Sequence, residues 1–427
     1  MATAAIEPTT TAHSGTPLPM ADADPLDVTQ PELFAEHRWH EPFAKLRAEN
    51  PVYHCERGRF GPYWSLSTYK PIVHVEALPK VFSSSWEVGG ITVVGDPVEL
   101  VEAEVRMPMF IAMDPPHHTA QRRTVAPAFT PSQIEIMRIE TVARTGAVLD
   151  ALPIGAPFDW VQRVSIELTT GMLAKLFDYP WETRHDLTRW SDVLGDVELF
   201  DTVPRRQFRL ATAFEMGAAF NALWESKKGQ PPANDLISIM LHSDAMSHMS
   251  ETEFMGNLIL LIVGGNDTTR NSMTALAHGL DKFPGERAKL EANPALATNT
   301  ASEIIRWQTP LAHMRRTALE DTEIDGHKIR KHDKIALWYI SANRDESVFG
   351  ADANDIRIER ENARRHLSFG YGIHRCVGAR VAELQLQVLM EEMAKRRLRA
   401  NVVAEPTRVP ACFVNGYTSL MVELSTY

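Results

Sequence analysis

The sequence predicts a mainly α protein, with one large helical domain carrying a small β-rich lobe. Three observations lead there. From Asp114 to about Asp281 the pattern is mostly helical, broken at "LPIGAPFD", "FDYPWE" and "KGQPPANDL", where Pro and Gly cluster. Strand-like alternation is confined to "VYHCERGRFGPYWSLST" (52–68), "TEIDGHKIRKHDKIALWYISAN" (322–343) and the C-terminal tail. No long Gly/Ser linker divides the chain, so residues 26–427 read as a single domain.

The elements follow in order. Residues 1–25 are rich in Thr, Ala and Pro and read as a disordered tail. They lack the basic start and apolar core of a signal peptide. "PELFAEHRWHEPFAKLRAEN" (31–50) reads as one amphipathic helix, 52–68 as a hairpin, and 85–112 as a loop. One long helix is expected from about Glu251 to Asp281. Gly326 marks a turn between strands, and a strong amphipathic helix runs over about Val377–Lys395.

Composition excludes several functions. A net charge of −11 argues against a general nucleic-acid binder. The three cysteines, Cys55, Cys376 and Cys412, make neither a disulfide framework nor a zinc-like pair, which suits a reducing compartment. The longest apolar run, "LILLIV" (Leu258–Val263), is far too short to span a bilayer. The expectation is a cytoplasmic monomer.

The most informative stretch is "HLSFGYGIHRCVGAR", His366 to Arg380. Gly370, Gly372 and Gly378 give backbone freedom and let a flat object approach closely. Cys376 falls where this loop meets a helix N-terminus, whose free amides and positive dipole end favour a thiolate. A thiolate in a glycine bed suits a soft or redox metal. A buried cysteine is ordinarily a small hydrophobe, but His374 and Arg375 beside it suit an anionic ligand edge better than an apolar core.

"FGYGIHRCVG" (Phe369–Gly378) resembles the haem-binding loop of the cytochrome P450 family, Phe-Gly-x-Gly-x-His/Arg-x-Cys-x-Gly, at every fixed position. The resemblance implies the cytochrome P450 fold and a haem b held by Cys376 as axial thiolate. Electron release from that thiolate favours O–O cleavage. It further implies that Phe369 shields the sulfur, that His374 bonds a haem propionate, and that Gly378 belongs to the same cofactor bed.

Other segments match in chain order. Glu303 and Arg306 of "EIIR" are spaced to pair on a helix. On the resemblance they form a structural cluster with Arg360. In "LILLIVGGNDTTRNSM" two mid-helix glycines cost roughly 1 kcal/mol each relative to Ala. The resemblance places "GGNDT" over the haem: Gly264 and Gly265 open a groove for dioxygen, Thr268 bonds the iron-bound oxygen, and Asp267 relays protons. Asn266 and Thr269 are weaker candidates. In "MDPPHHTAQRRTVAPAFTP", His118 and Arg122 share one helical face and, on the resemblance, bind the haem propionates. Arg316 matches a further propionate-binding arginine, with Arg315 as the neighbouring alternative.

Longer phrases, among them "EIIRWQTPLAHMRRTA" and "FIAMDPPHHTAQRRTV", resemble the bacterial branch that hydroxylates alkanes and fatty acids at the terminal carbon. The expected pocket is Leu258, Leu261, Ile262, Leu311, Met314, Phe413 and Val414, all apolar and suited to an alkyl chain. Glu87–Met109 is expected to form the access channel, and Arg106 is one candidate anchor for a carboxylate. The chain has no dinucleotide fingerprint and no cysteines for an iron–sulfur cluster. Electrons are therefore expected from a ferredoxin and an NAD(P)H-dependent ferredoxin reductase. Arg364, Arg365, Arg375 and Arg380 are candidates for the docking patch. Two alternatives stand beside this reading: a terpene or steroid substrate, or a haem-thiolate ligand sensor without turnover. The Asp267–Thr268 pair argues against the sensor.

Overall fold

A computed structural model describes residues 24–94, 107–197 and 203–427. The architecture is mainly helical, and its centre is the helix Glu251–Lys282. Ser250 caps that helix, its hydroxyl accepting the Glu253 N–H at 3.2 Å. Most of its length is buried among the helices Ile166–Phe177, His185–Leu194, Val203–Lys227, Ala297–Gln308 and Ala379–Lys395. Among the described residues no helix is long and apolar enough to cross a membrane.

The β lobe is a five-stranded sheet in the order Val52–Cys55, Tyr63–Leu66, Lys334–Leu337, Met314–Ala318, Phe82–Ser83. Its first two strands are the expected hairpin, with Val52 opposite Leu66. A second hairpin, Thr322–Ile324 with His327–Ile329, turns at Asp325 and Gly326, both left-handed. The C-terminal tail is β-rich as expected: Met421–Thr426 pairs with Leu398–Val402.

One reading of the sequence is corrected and two are sharpened. The segment 31–50 is two helices, Pro31–Ala35 and His40–Glu49, separated by a left-handed His37. Pro42 explains the break. It would remove an interior donor from one continuous helix, but it sits harmlessly in the first turn of the second. The break "LPIGAPFD" contains a short strand, Pro157–Asp159, which pairs with Met421–Glu423. The last helix begins at Ala379, so Cys376 lies in the turn before it. Of the expected tail, residues 1–23 lie outside the described residues. Asp24 is anchored by the Tyr53 hydroxyl at 2.8 Å.

Candidate functional site

A cavity of about 770 Å³ lies between the Cys376 loop and the Glu251–Lys282 helix. Phe369, Gly370, His374, Cys376 and Gly378 line one side; Gly264, Gly265, Asp267 and Thr268 line the other. The loop closes on itself through the Cys376 N–H, which donates to the Phe369 carbonyl at 2.8 Å. Gly370 and Gly372 both take left-handed backbone, and a Cβ on Gly372 would strike the Glu76 carbonyl. Glycine is therefore required there on two counts. Burial pushes the Cys376 thiol up, and the Gly378 N–H, Arg122 and Arg375 pull it back only in part. A metal bound at the sulfur would favour the thiolate.

One edge of the cavity gathers donors from three elements. His118 and His374 stand 4.2 Å apart between ring centroids, and none of their four ring nitrogens has a hydrogen-bond partner. Burial lowers His118 to about 4 and His374 to about 2. Arg122 lies on the same helical face as His118 and donates to the Arg375 carbonyl. Arg316 lines the cavity with Met314, while Arg315 points to the opposite face of the strand and donates to the Val88 carbonyl. Strand alternation therefore selects Arg316.

These residues fit haem b. Unpartnered buried imidazoles are costly without an acceptor, and two propionates would satisfy them beside two arginines. The opposite wall is open where a flat group needs room: a Cβ on Gly264 would meet nothing within 4 Å.

Above the glycines, Thr268 donates to the Gly264 carbonyl at 2.9 Å. Asp267 Oδ1 accepts from Ser191 Oγ at 2.8 Å and Arg270 Nη2 at 3.0 Å. Arg270 also pairs with the half-exposed Asp192 at 2.6 Å, which links the acid to the surface. Burial raises Asp267 above the ordinary carboxylate range, with Arg270 opposing in part.

Five of the seven expected pocket residues line the cavity: Leu261, Leu311, Met314, Phe413 and Val414. Leu258 and Ile262 do not. They sit with Asn266 at intervals of four on a fully buried stripe that packs away from the cavity. Asn266 instead accepts the Thr169 hydroxyl at 2.8 Å. Thr269 does line the cavity. Ile259, Leu260 and Val263, missed in the sequence, take the wall positions. The phase set by Gly264 and Thr268 carries the signal that finds Leu260 and Leu261. Glu76, also missed, lines the cavity and binds Arg316 at 3.0 Å.

Glu303, Arg306 and Arg360 meet as expected. Arg306 grips Glu303 with two bonds of 2.8 and 2.7 Å, and Arg360 adds one of 3.1 Å. Arg364, Arg365, Arg375 and Arg380 are exposed. Three of them, Arg364, Arg375 and Arg380, act on the carboxyl of Glu383. Arg106 and the 95–106 part of the expected channel lie outside the described residues.

Comparison with known proteins agrees with this geometry. The "Cytochrome P450" family model matches residues 205–396. "Linalool 8-monooxygenase" of Pseudomonas putida is 35% identical, covering 93% of this chain and 98% of its own. "Steroid C26-monooxygenase" of Rhodococcus jostii is 32% identical, covering 94% and 85%. Among solved structures, "Cytochrome P450-153 from Novosphingobium aromaticivorans" is 54% identical with a TM-score of 0.89, covering 94% of this chain and 100% of that one. "CYP153D17 from Sphingomonas sp. PAMC 26605" is 61% identical with a TM-score of 0.90, covering 94% and 99%. With full-length relatives on both counts and a cysteine loop built for the cofactor, the chain belongs to the cytochrome P450 family and is a monooxygenase with haem b as its cofactor.

Proposed function

We propose that this monooxygenase hydroxylates a medium-chain alkane or fatty acid at the terminal carbon. The observation that carries the reading is the apolar wall beside the Gly264–Thr268 turn, built from Leu261, Val263, Leu311, Met314, Phe413 and Val414. Such a wall excludes water and offers an alkyl chain no polar group to desolvate. The phrases that resemble the terminal-hydroxylating branch support the same reading.

When bound through Cys376, the haem supplies dioxygen binding and O–O cleavage favoured by the thiolate. The protein supplies the rest. His118, Arg122, Arg316 and His374 would hold the propionates, and Phe369 would cover the sulfur. Thr268 presents a hydroxyl at the open face beside Gly264. Asp267 is the acid nearby that would pass protons toward this face; Ser191 and Arg270 hold it, and Arg270 ties it to the half-exposed Asp192. Electrons come from a ferredoxin and its NAD(P)H-dependent reductase, docking at the arginines around Cys376.

A second reading, a terpene or steroid substrate, is favoured by the names of the curated relatives. One competition experiment separates the two. The holoenzyme, with a surrogate ferredoxin, its reductase and NADH, is offered octane, dodecanoic acid and a monoterpene together, and products are identified by mass spectrometry. A terminal alcohol or ω-hydroxy acid is expected. Terpene alcohols alone would overturn the aliphatic reading.

A further inference from the structure

Among the described residues lining the cavity there are two acids, Asp267 and Glu76. The mechanism uses the first and leaves the second unexplained. Glu76 ends the helix Tyr69–Glu76 and lies among the cationic residues of the propionate edge. Its Oε1 accepts from the Tyr339 hydroxyl at 2.6 Å and from Arg316 Nη2 at 3.0 Å, while Oε2 has no hydrogen-bond partner. Its side chain is about as buried as any in the protein, at 1% exposure. The same residue abuts the cysteine loop twice. Its carbonyl sits against Gly372, and its carboxyl lies 3.6 Å from the Cβ position of Gly370.

A carboxyl in that place is costly. Burial raises it above its ordinary range, and Arg316 and the Tyr339 hydroxyl offset the burial only in part. A glutamine would keep the shape and the Tyr339 contact without the charge. A role in packing alone therefore gives no reason for an acid here. Its electrostatic consequence does. Arg316 is shared between Glu76 and the anionic edge of the haem. The other groups facing that edge, His118 and Arg122 from one helix and His374 from the loop, are donors. Among the described residues lining that edge, Glu76 is the one carboxyl, and in a buried setting its opposition to added negative charge is strong.

We propose that Glu76 is a positioning residue that sets the reduction potential of the haem, holding Arg316 in place and cancelling part of its charge. One-electron reduction adds negative charge at the haem, so an acid beside its edge favours the ferric form. Removing the acid shifts the balance toward the ferrous form.

The test is a spectroelectrochemical titration of the substrate-free holoenzyme. Glu76→Gln is expected to move the ferric/ferrous equilibrium about tenfold toward ferrous, a rise of about 59 mV for one electron. Tyr339→Phe removes a donor that partly neutralises the carboxylate, so a smaller shift in the opposite direction, toward ferric, is expected. If Glu76→Gln does not retain haem, Tyr339→Phe decides alone. A potential within about twofold of wild type in the equilibrium overturns the proposal. Weaker haem retention or a lower melting temperature at unchanged potential also overturns it, because that is the signature of packing.

Discussion

Truncating Glu303 to Ala tests whether the buried cluster at the core of the fold is a single electrostatic unit. Glu303 and Arg306 are both wholly buried, at 0% exposure. Glu303 receives two bonds from Arg306, one from Arg360 and one from the Arg357 N–H at 2.9 Å. Its loss leaves Arg306 buried without a counter-charge and leaves Arg360 with Asp352 as its remaining carboxylate. Breaking a buried ion pair costs about 3–5 kcal/mol, and the orphaned Arg357 N–H adds about 1 kcal/mol. Arg344 makes matters worse. It is buried near Arg306, and burial holds its guanidinium well below the usual range, with Arg306 and Arg47 adding to the effect. Apolar replacement of the whole cluster is no escape here. Arg306 also donates to the carbonyls of Asn343, Ala353 and Asp355 at 2.7–2.8 Å, and each orphaned acceptor costs about 1–3 kcal/mol. A total of about 4–6 kcal/mol is a large share of the roughly 5–15 kcal/mol that holds a domain together. Urea unfolding followed by circular dichroism is expected to show a markedly lower midpoint for Glu303→Ala, with Glu303→Gln in between. A loss below about 1 kcal/mol would refute the reasoning.

The remaining predictions concern the site and its frame. Thr268→Ala is expected to leave the fold intact, since the hydroxyl bonds only its own helix, but to uncouple NADH consumption from product. An unchanged ratio of product to NADH removes Thr268 from the mechanism. Gly372→Ala meets both a left-handed backbone and the Glu76 carbonyl, so haem retention and melting temperature should both fall sharply; a wild-type melt would show that the loop relaxes freely. Acid should destabilise the protein through His313, which donates from Nδ1 to the Cys412 carbonyl and accepts the Val93 N–H at Nε2. Burial lowers it to about 4, so the unfolded chain takes up the proton first, and its stabilising contribution is lost as pH falls from 6.5 through about 4. The loss is about 3 kcal/mol, read as a flatter stability–pH curve in His313→Asn; curves of equal slope would count against it.

What the sequence makes legible here is what its chemistry forces to be local. The cysteine loop reads directly because a ligand, two left-handed glycines and a propionate donor must fall within ten residues. Glu303 and Arg306 read from their spacing, yet Arg360, which completes the cluster 57 residues later, becomes visible only through the resemblance. The pocket fails by helical phase. Leu258 and Ile262 are as apolar as Leu261, and composition does not tell one face of a helix from another. Gly264 and Thr268 do carry that phase: stepping from them by threes and fours reaches Leu261, Leu260 and Ser272 and skips the stripe of Leu258, Ile262 and Asn266. Glu76 had no such signal. An acid in "YKPIVHVE" reads as the wet face of an amphipathic helix, and its partners Arg316 and Tyr339 lie 240 and 263 residues away. A residue that acts through distant partners in three dimensions leaves no periodicity behind. Burial of a charge with one oxygen unpartnered is the feature that identifies it, and that feature exists only once the chain is folded.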